Sequence, residues 1–256
     1  MDLELAGRAV LITGGTDGLG LSLAQRLVSE GAFVAICGRD PERVGATQDT
    51  LGEGALCYRA DVTVASEVDG FIEATLERFG RLDGVVNNAG RSEAVSIADS
   101  TDQQWRDDYE LKVIAALHVS RRAIAPLSET KGSVLNVLAT RARTPGAGTT
   151  PTSASRLAGL ALTKALAGEL APRGVRVNAV LIGLIESGQW VRRAAQAGVS
   201  PEEYYRTLAT SGEGIPLGRV GRADEFADLA TYLLSARASY VTGVGISLDG
   251  GLSPVI

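Results

Sequence analysis

The chain is poor in the residues that build disulfide frameworks and metal centres. Of its 256 residues, two are cysteine, one is histidine and one is methionine. Cys37 and Cys57 lie on separate predicted strands and form no CxxC pair, so the sequence predicts neither a metal site nor a disulfide scaffold. We expect both thiols to be buried in a protein of a reducing compartment.

Long apolar runs and an excess of positive charge are missing as well. No apolar run reaches the roughly 20 residues that a membrane-spanning helix needs, and the acidic start, 1–5, lacks the basic segment of a signal peptide. The net charge of -5 argues against nucleic-acid binding, which usually requires a basic patch. We therefore expect a cytoplasmic protein that binds a small molecule and has no membrane or nucleic-acid partner.

Short apolar runs alternate with helical patterns along the whole chain, which is typical of repeated βαβ units with a parallel sheet. The predicted strands are Ala9–Thr13, Phe33–Cys37, Leu56–Ala60, Gly84–Asn87, Ser133–Leu138, Val175–Val180 and Gly245–Leu248. Helices are predicted near 19–30, 41–51, 65–79, 102–127, 153–171 and 223–235. The pattern predicts one doubly wound α/β domain, 1–256, with helices on both faces of the sheet. The polar segment 188–215 interrupts it, and we interpret it as a partly helical insertion that covers a site.

A glycine-rich loop follows the first predicted strand and opens a helix. It reads Thr13-Gly14-Gly15-Thr16-Asp17-Gly18-Leu19-Gly20. Glycine lets the backbone turn sharply and approach a pyrophosphate without a β-carbon clash. The helix that follows presents free N–H groups and a positive dipole end to the phosphates. The loop therefore predicts a dinucleotide site.

Further segments follow in a fixed order along the chain: Asp61-Val62, Asn87-Asn88-Ala89-Gly90, 218–225, and 242–251. Together with the glycine loop they resemble the short-chain dehydrogenase/reductase family, of the roughly 250-residue single-domain type. The resemblance extends from about Leu5 to Gly251. It implies a Rossmann fold with a seven-stranded, mostly parallel sheet of order 3-2-1-4-5-6-7. It also implies a nicotinamide cofactor and a homodimer or homotetramer that pairs through the two long helices.

By this resemblance, the cofactor contacts fall on Gly14, Thr16, Asp17, Gly18, Leu19, Gly20, Gly38, Arg39, Asp61, Val62, Asn88, Ala89, Gly90, Arg156, Gly183, Ile185 and Ser187. An acidic residue at the tip of the second strand accepts from the ribose 2′-hydroxyl of NAD. Here Gly38 takes that place and Arg39 follows, a pair that favours NADP because a guanidinium binds a phosphate. Asp17 in the loop, and an Arg39–Asp40 pair that would occupy the guanidinium, point to NAD. Both cofactors stay open, with NADP preferred.

The four catalytic positions of the family all carry other residues here. By register, Lys112 replaces the asparagine, Ala139 the serine, Thr152 the tyrosine and Arg156 the lysine. Ala139 offers no hydrogen bond, and a threonine hydroxyl is a far weaker acid than a phenol. Arg156 keeps the positive charge that binds the ribose, and Lys112, if buried, would have a lowered pKa and move protons. Lys112, Thr152 and Arg156 are the candidate catalytic residues, with a solvated helix lysine as the alternative for Lys112. Thr152 or Ser153 would cap the helix.

Other side chains near these positions offer partial replacements. Arg141 and Arg143 follow the fifth strand and suit an anionic substrate, unless they are solvated loop residues. Tyr204 and Tyr205 lie in the 188–215 insertion and would bring a phenol to the site when it closes. His118, the single histidine, is expected to be packed or to lie at a subunit interface.

Three functions fit this pattern. The first is an NAD(P)-dependent oxidoreductase that acts on a carbonyl or hydroxyl group with non-standard proton delivery, since hydride transfer is the cofactor's own chemistry. The second is a catalytically inactive NAD(P)-binding sensor or partner subunit, because all four catalytic positions differ. The third is a non-redox dehydratase or isomerase that uses Lys112 and the arginines. Fold alone does not choose among them.

Overall fold

The structure, a computed structural model, describes residues 2–212 and 214–255. Its main sheet has seven parallel strands in the order 3-2-1-4-5-6-7. The strands are β1 Ala9–Thr13, β2 Phe33–Gly38, β3 Ala55–Arg59, β4 Gly84–Asn87, β5 Ser133–Ala139, β6 Arg176–Ile182 and β7 Gly245–Leu248. The predicted doubly wound Rossmann fold is confirmed, because buried parallel strands are continuous apolar runs that can be read from the sequence.

Helices cover both faces of the sheet. They are α1 Gly18–Ser29, α2 Pro41–Leu51, α3 Ala65–Phe79, α4 Asp102–Tyr109, α5 Ala115–Thr130, α6 Thr152–Leu170, α7 Gly188–Ala197, α8 Pro201–Thr210 and α9 Ala223–Leu234. The predicted single helix 102–127 differs from the structure, because a π-helical segment, Glu110–Ile114, separates α4 from α5. Such a π segment widens one turn and shifts the side chains that follow it; π segments are often found at functional sites.

The core lies on the two faces of the sheet. On one face Phe226 of α9 and Leu23 of α1 belong to one buried cluster with apolar side chains of β1, β2 and β5. On the other, Phe71 and Leu127, from α3 and α5, pack on the same strands and on β4. In the described ranges, no helix is both long and apolar enough to cross a bilayer.

The segment after β6 forms the helical pair α7 and α8. A small apolar cluster of its own holds it to the loop before α9, through Ala209, Ile215 and Val220. Tyr205 and Leu184 pack against this cluster. The segment is thus folded, and it starts at the carboxyl edge of the sheet, where β1, β4 and β5 also end.

Candidate active site

The glycine loop is fixed against the end of β4. A β-carbon at Gly14, where φ is +67°, would lie 2.9 Å from the Ala89 Cα, and one at Gly20 would collide with the Gly14 carbonyl oxygen. Asn88 Nδ2 donates to the carbonyls of Thr13 (3.0 Å) and Gly14 (2.8 Å). Only glycine fits this close approach, which leaves the first turn of α1 open at the carboxyl edge of the sheet.

Asp17 links the loop to two other elements. Its Oδ1 accepts from the Gly18 N–H at 2.7 Å and caps α1. Its Oδ2 lies 3.5 Å from Arg43 Nη1 in α2 and 3.4 Å from Arg192 Nη1 in α7. A β-carbon at Gly188, the first residue of α7, would run into the same carboxylate. The start of α7 therefore lies directly on the glycine loop.

The tip of β2 leaves Arg39 exposed. Gly38 has room for no β-carbon, since one would lie 2.7 Å from Thr16 Cγ2. Arg39 is 69% exposed, and its Nη1 lies 3.7 Å from Asp61 Oδ2. Asp40 instead caps α2 by accepting from the Glu42 N–H at 3.0 Å. The predicted ion pair between Arg39 and Asp40 is thus wrong, because the Asp40 carboxylate caps the N-terminus of α2.

The end of β3 is held by its own turn. Asp61 Oδ1 accepts from the Thr63 N–H (3.0 Å) and hydroxyl (2.7 Å), and its own N–H donates to Glu67 Oε2 at 2.7 Å. Burial would raise the Asp61 pKa, but the Thr63 hydrogen bonds and Arg39 outweigh it, so the pKa is lowered. Val62, beside it, is buried. The Asp61 side chain is charged at neutral pH.

Lys112 lies buried in the π segment, against Asp108 of α4. The two side chains form an ion pair, and both are almost completely shielded from solvent. Burial and the nearby Arg156 charge lower the Lys112 pKa to about 8, while Asp108 and Glu93 act in the opposite direction. The solvated helix lysine is thus excluded, and an amine with this pKa exchanges protons near neutral pH.

Thr152 begins α6 and faces Lys112. Its Oγ1 accepts two hydrogen bonds, from the Glu93 backbone N–H at 2.8 Å and from Lys112 Nζ at 2.9 Å. Neither Thr152 nor Ser153 caps the helix, contrary to the sequence-based expectation, because α6 begins at Thr152 and Pro151 occupies the N-cap position. Within the described part of the chain, the Thr152 hydroxyl donates to no acceptor.

Arg156 lies one turn further along α6. Its Nη1 donates to the Val137 carbonyl at 2.7 Å, and a β-carbon at Gly90 would lie 2.7 Å from its Nη2. Burial lowers the Arg156 pKa to about 10, so the guanidinium is charged at neutral pH. Its Nε is buried and finds no acceptor among the described residues. A ribose hydroxyl would satisfy this buried unpaired donor, so Arg156 and the neighbouring Gly90 fit a nicotinamide nucleotide.

The segment between β6 and α7 runs past the glycine loop. A β-carbon at Gly183 would lie 2.6 Å from Asp249 Cβ, so that turn requires glycine. Ile185 is buried and forms a β-bridge with Gly221. Ser187 precedes α7, with its Cβ 3.5 Å from the position of a β-carbon on Gly18. This places three predicted cofactor contacts along one stretch of chain at the site.

The two tyrosines of the insertion lie apart from the Lys112–Thr152 pair. The Tyr204 ring packs on Trp190, with centroids 6.3 Å apart. Tyr205 is partly buried, which raises its pKa, and it is hydrogen-bonded to the Ser187 backbone. Among the described residues neither phenol is hydrogen-bonded to Lys112 or Thr152, so a role for these tyrosines needs movement of α8.

Two of the three remaining candidates, Arg143 and His118, contact other parts of the protein. Arg143 Nη2 donates to the Gly245 carbonyl at 2.8 Å, which connects the segment after β5 to the start of β7, and its contact with an anionic substrate stays a prediction. Arg141 is exposed. His118 Nε2 lies 3.2 Å from Asp69 Oδ1, which links α5 to α3 and agrees with the predicted packing role.

Three residues that contact Lys112, Thr152 or their partners were not predicted from the sequence: Asp108, Glu93 and Ser155. Asp108 lies four residues before Lys112, a spacing that puts both on one helix face and was a usable signal. Ser155 Oγ donates to Asp108 Oδ2 at 2.6 Å across the α4–α6 interface. Glu93 contributes its backbone, which no side-chain pattern reveals.

The comparisons with known proteins identify the family of the chain. The profile of the enoyl-(acyl carrier protein) reductase family matches residues 14–253. The chain belongs to the short-chain dehydrogenase/reductase family. An uncharacterised oxidoreductase of Mycobacterium tuberculosis is 35% identical over 250 residues, covering 96% of this chain and 97% of that protein.

Two solved structures of the family are also close. The NADPH-bound short-chain oxidoreductase of Pseudomonas aeruginosa PAO1, which contains an atypical catalytic centre, is 35% identical with a TM-score of 0.92, over 98% of this chain and 99% of that one. The L-sorbose reductase of Gluconobacter frateurii, in complex with NADPH and L-sorbose, is 28% identical with a TM-score of 0.95 over 100% of both chains. The relatives are oxidoreductases, and both of these structures carry NADPH.

Proposed function

We propose that this short-chain oxidoreductase reduces the carbonyl group of a small molecule with NADPH, and that Lys112 and Thr152 deliver the proton. One observation carries the proposal: Thr152 Oγ1 accepts from both Lys112 Nζ and the Glu93 N–H. With both lone pairs engaged, the hydroxyl has only its hydrogen to offer to a substrate oxygen. A neighbouring ammonium group polarises that hydroxyl in a buried site.

The proton path follows from these contacts. The reduced nicotinamide, when bound, supplies the hydride to the carbonyl carbon. The substrate oxygen then takes the Thr152 hydroxyl proton as its negative charge develops, and Thr152 takes a proton from Lys112 in the same step. Lys112 is left neutral and regains its proton from solvent after product leaves. Arg156 keeps its charge; its Nη1 is hydrogen-bonded to the Val137 carbonyl, and its unpaired Nε would be available to hold the nucleotide.

The preference for NADP rests on charge at the tip of β2. Gly38 offers no carboxylate to repel a 2′-phosphate, and the exposed Arg39 has only a long contact, 3.7 Å, with Asp61. Asp17 argues for NAD less strongly than its sequence position implied, because Arg43 and Arg192 offset its charge. Both solved relatives described above bind NADPH.

The 188–215 segment is proposed as a substrate lid. Gln189 Oε1 accepts from the Ser92 N–H at 3.1 Å, one residue before Glu93, and Arg192 reaches the glycine loop through Asp17. The start of α7 thus touches both the proton-delivery side and the cofactor side of the site. Closure of such a segment excludes water from the reacting groups.

A homodimer through the long helices is proposed as well. Ile114 and Leu157 are 44% and 52% exposed, on the π segment and on α6. Exposed large apolar side chains on neighbouring helices are buried readily by a second copy. Sedimentation should give a dimer or tetramer that Leu157→Asp weakens; a wild-type monomer at micromolar concentration would contradict this.

The first test is calorimetric binding of NADPH and NADH, followed by NADPH oxidation with a panel of ketones and keto acids. We expect micromolar NADPH binding, weaker NADH binding and turnover that Lys112→Met slows about 10²-fold or more without loss of cofactor binding. Lys131→Met, an exposed lysine far from the site, is the matched control. Tight NADPH binding without turnover on any carbonyl compound would favour the sensor, and no binding of either cofactor would leave the non-redox enzyme.

A further inference from the structure

A buried carboxylate, Asp108, contacts the lysine of the Lys112–Thr152 pair. One carboxylate oxygen accepts from Lys112 Nζ and the other from Ser155 Oγ, at 2.6 Å for Ser155. The Ser155 hydroxyl lies 3.0 Å from the Thr152 carbonyl oxygen, so the same turn of α6 carries Thr152 and the donor to the Asp108 carboxylate. Both Asp108 oxygens therefore have partners, on two different elements.

Stability does not account for an ion pair in this place. Removing two charges from water costs more than their attraction returns in many buried pairs, and apolar residues of the same size often do better. Here the side chains of Lys112 and Asp108 are shielded almost fully from solvent, in contact with the one hydroxyl proposed to reach substrate. The position of the Lys112–Asp108 ion pair next to Thr152, more than any contribution to stability, indicates its function.

We propose that Asp108 is a positioning residue, which aims the Lys112 ammonium group at Thr152 and keeps that group in its charged, proton-donating form. The inference rests on the proposed function for its catalytic consequence, but its effect on Lys112 is a property of the protein without cofactor. Ser155 completes the arrangement by fixing the orientation of the Asp108 carboxylate.

The charges around Lys112 support this assignment. Three charged groups face it: Asp108 from α4, Arg156 from α6 and Glu93 from the loop after β4. Burial and Arg156 lower the Lys112 pKa, and Asp108 opposes them more strongly than Glu93 does. Without the Asp108 charge, burial and Arg156 would lower the Lys112 pKa further, so more of the amine would be neutral, and a neutral amine is a poor proton donor to Thr152.

The direct test is an NMR titration of Lys112 in the cofactor-free protein. The chain has only three lysines, Lys112, Lys131 and Lys164, so lysine labelled with carbon-13 at Cε gives three signals that Lys112→Met assigns. We expect a Lys112 midpoint near pH 8, and a midpoint lower by about one pH unit or more in Asp108→Asn. Asp107→Asn, an exposed carboxylate next in the chain, is the matched control and should leave it unchanged.

Kinetics on an accepted carbonyl compound test the catalytic consequence. Asp108→Asn should lower kcat at pH 7 about tenfold or more, with little change in KM, and Ser155→Ala should lower kcat by a smaller factor. Ser155→Ala removes only one hydroxyl, so it serves if Asp108→Asn folds poorly.

The outcomes separate this inference from the proposed function. An unchanged Lys112 midpoint in Asp108→Asn, or an unchanged kcat in both variants, overturns the role of Asp108. A wild-type protein that reduces no carbonyl compound overturns the proposed function, while the titration still decides what Asp108 does to Lys112.

Discussion

At the scale of single residues, Lys112 and Thr152 are proposed to do together what the tyrosine of the family does alone. A phenol can be brought towards neutral pKa by a neighbouring cation, whereas a threonine hydroxyl cannot be ionised at any ordinary pH. Thr152 can transfer a proton only if another group replaces it in the same step. Lys112, 2.9 Å away and with a pKa of about 8, is suited to that task.

Two substitutions of Thr152 should distinguish the effect of its hydroxyl group on catalysis from the effect of its side-chain volume. Thr152→Val keeps the volume but removes the oxygen, so we expect kcat to fall about 10²- to 10⁴-fold, the usual effect of losing a proton donor. Thr152→Ser keeps the oxygen and should retain activity within about tenfold. Steady-state kinetics with NADPH and one accepted ketone measure both. Equal activity of the valine and serine variants would show that the hydroxyl takes no part.

At the scale of secondary structure, the π segment and the start of α7 build the site. The π segment Glu110–Ile114 carries Lys112 to the point where it meets α6. The start of α7 rests on the glycine loop, so that a β-carbon at Gly188 would collide with the Asp17 carboxylate. The cofactor loop and the proposed lid are therefore mechanically joined at one contact.

That contact predicts a linked loss of cofactor affinity. Gly188→Val should push α7 off the glycine loop and weaken NADPH binding about tenfold or more, because the lid can no longer close over the nucleotide. The control is Gly168→Ala, in an exposed stretch of α6 where a β-carbon would meet nothing within 4 Å. Gly198→Ala is unsuitable, because φ at Gly198 is +72° and an alanine there would be strained. Calorimetric titration with NADPH measures both; equal affinities would argue against the lid.

Some elements of the structure could be predicted from the sequence more accurately than others. Strands such as β1 and β5 were found almost residue for residue, because buried parallel strands are unbroken apolar runs between turns. The π segment was missed, since its residues have ordinary helical periodicity. Lys112 and Thr152 were found through family register. Asp108 and Ser155 were not, because a contact between α4 and α6 depends on how two distant segments pack.

At the scale of the whole molecule, the candidate site and the hydrogen-bonded cluster around Asp83 lie at opposite edges of the sheet. The candidate site lies at the carboxyl ends of the strands, whereas Asp83 lies before β4 at the amino ends. Asp83 is buried, and its carboxylate accepts from Arg8 Nη1 (2.9 Å), the Ala9 N–H (2.9 Å) and Arg81 Nε (2.7 Å). It ties the starts of β1 and β4 together without touching the site.

Asp83→Asn should therefore lower stability and leave catalysis intact. Burial raises the Asp83 pKa, but the hydrogen bonds from Arg81, Ala9 and Arg8 outweigh it and the pKa is lowered. The carboxylate thus stabilises the fold fully above the unfolded pKa of about 4, and the effect is lost as pH falls through the lower folded value. We expect a loss of about 2–3 kcal/mol in urea unfolding at pH 7.

The pH dependence of the stability difference between Asp83→Asn and the wild type tests this prediction. The difference from wild type should shrink below about pH 4, where the wild-type carboxylate takes up a proton as well. Asp49→Asn, an exposed carboxylate on α2, should change stability little. A stability difference that is the same at pH 3 and pH 7 would show that the charge of Asp83 is not responsible.

The central claim is that Lys112 supplies the proton, and the rate of carbonyl reduction as a function of pH tests it most directly. Because the charged form of Lys112 is the donor, kcat/KM for the wild type should be constant below its pKa of about 8 and fall about tenfold per pH unit above it. Lys112→Met should be slower at every pH and lack this decline. A decline above pH 8 that is unchanged in Lys112→Met would contradict the account.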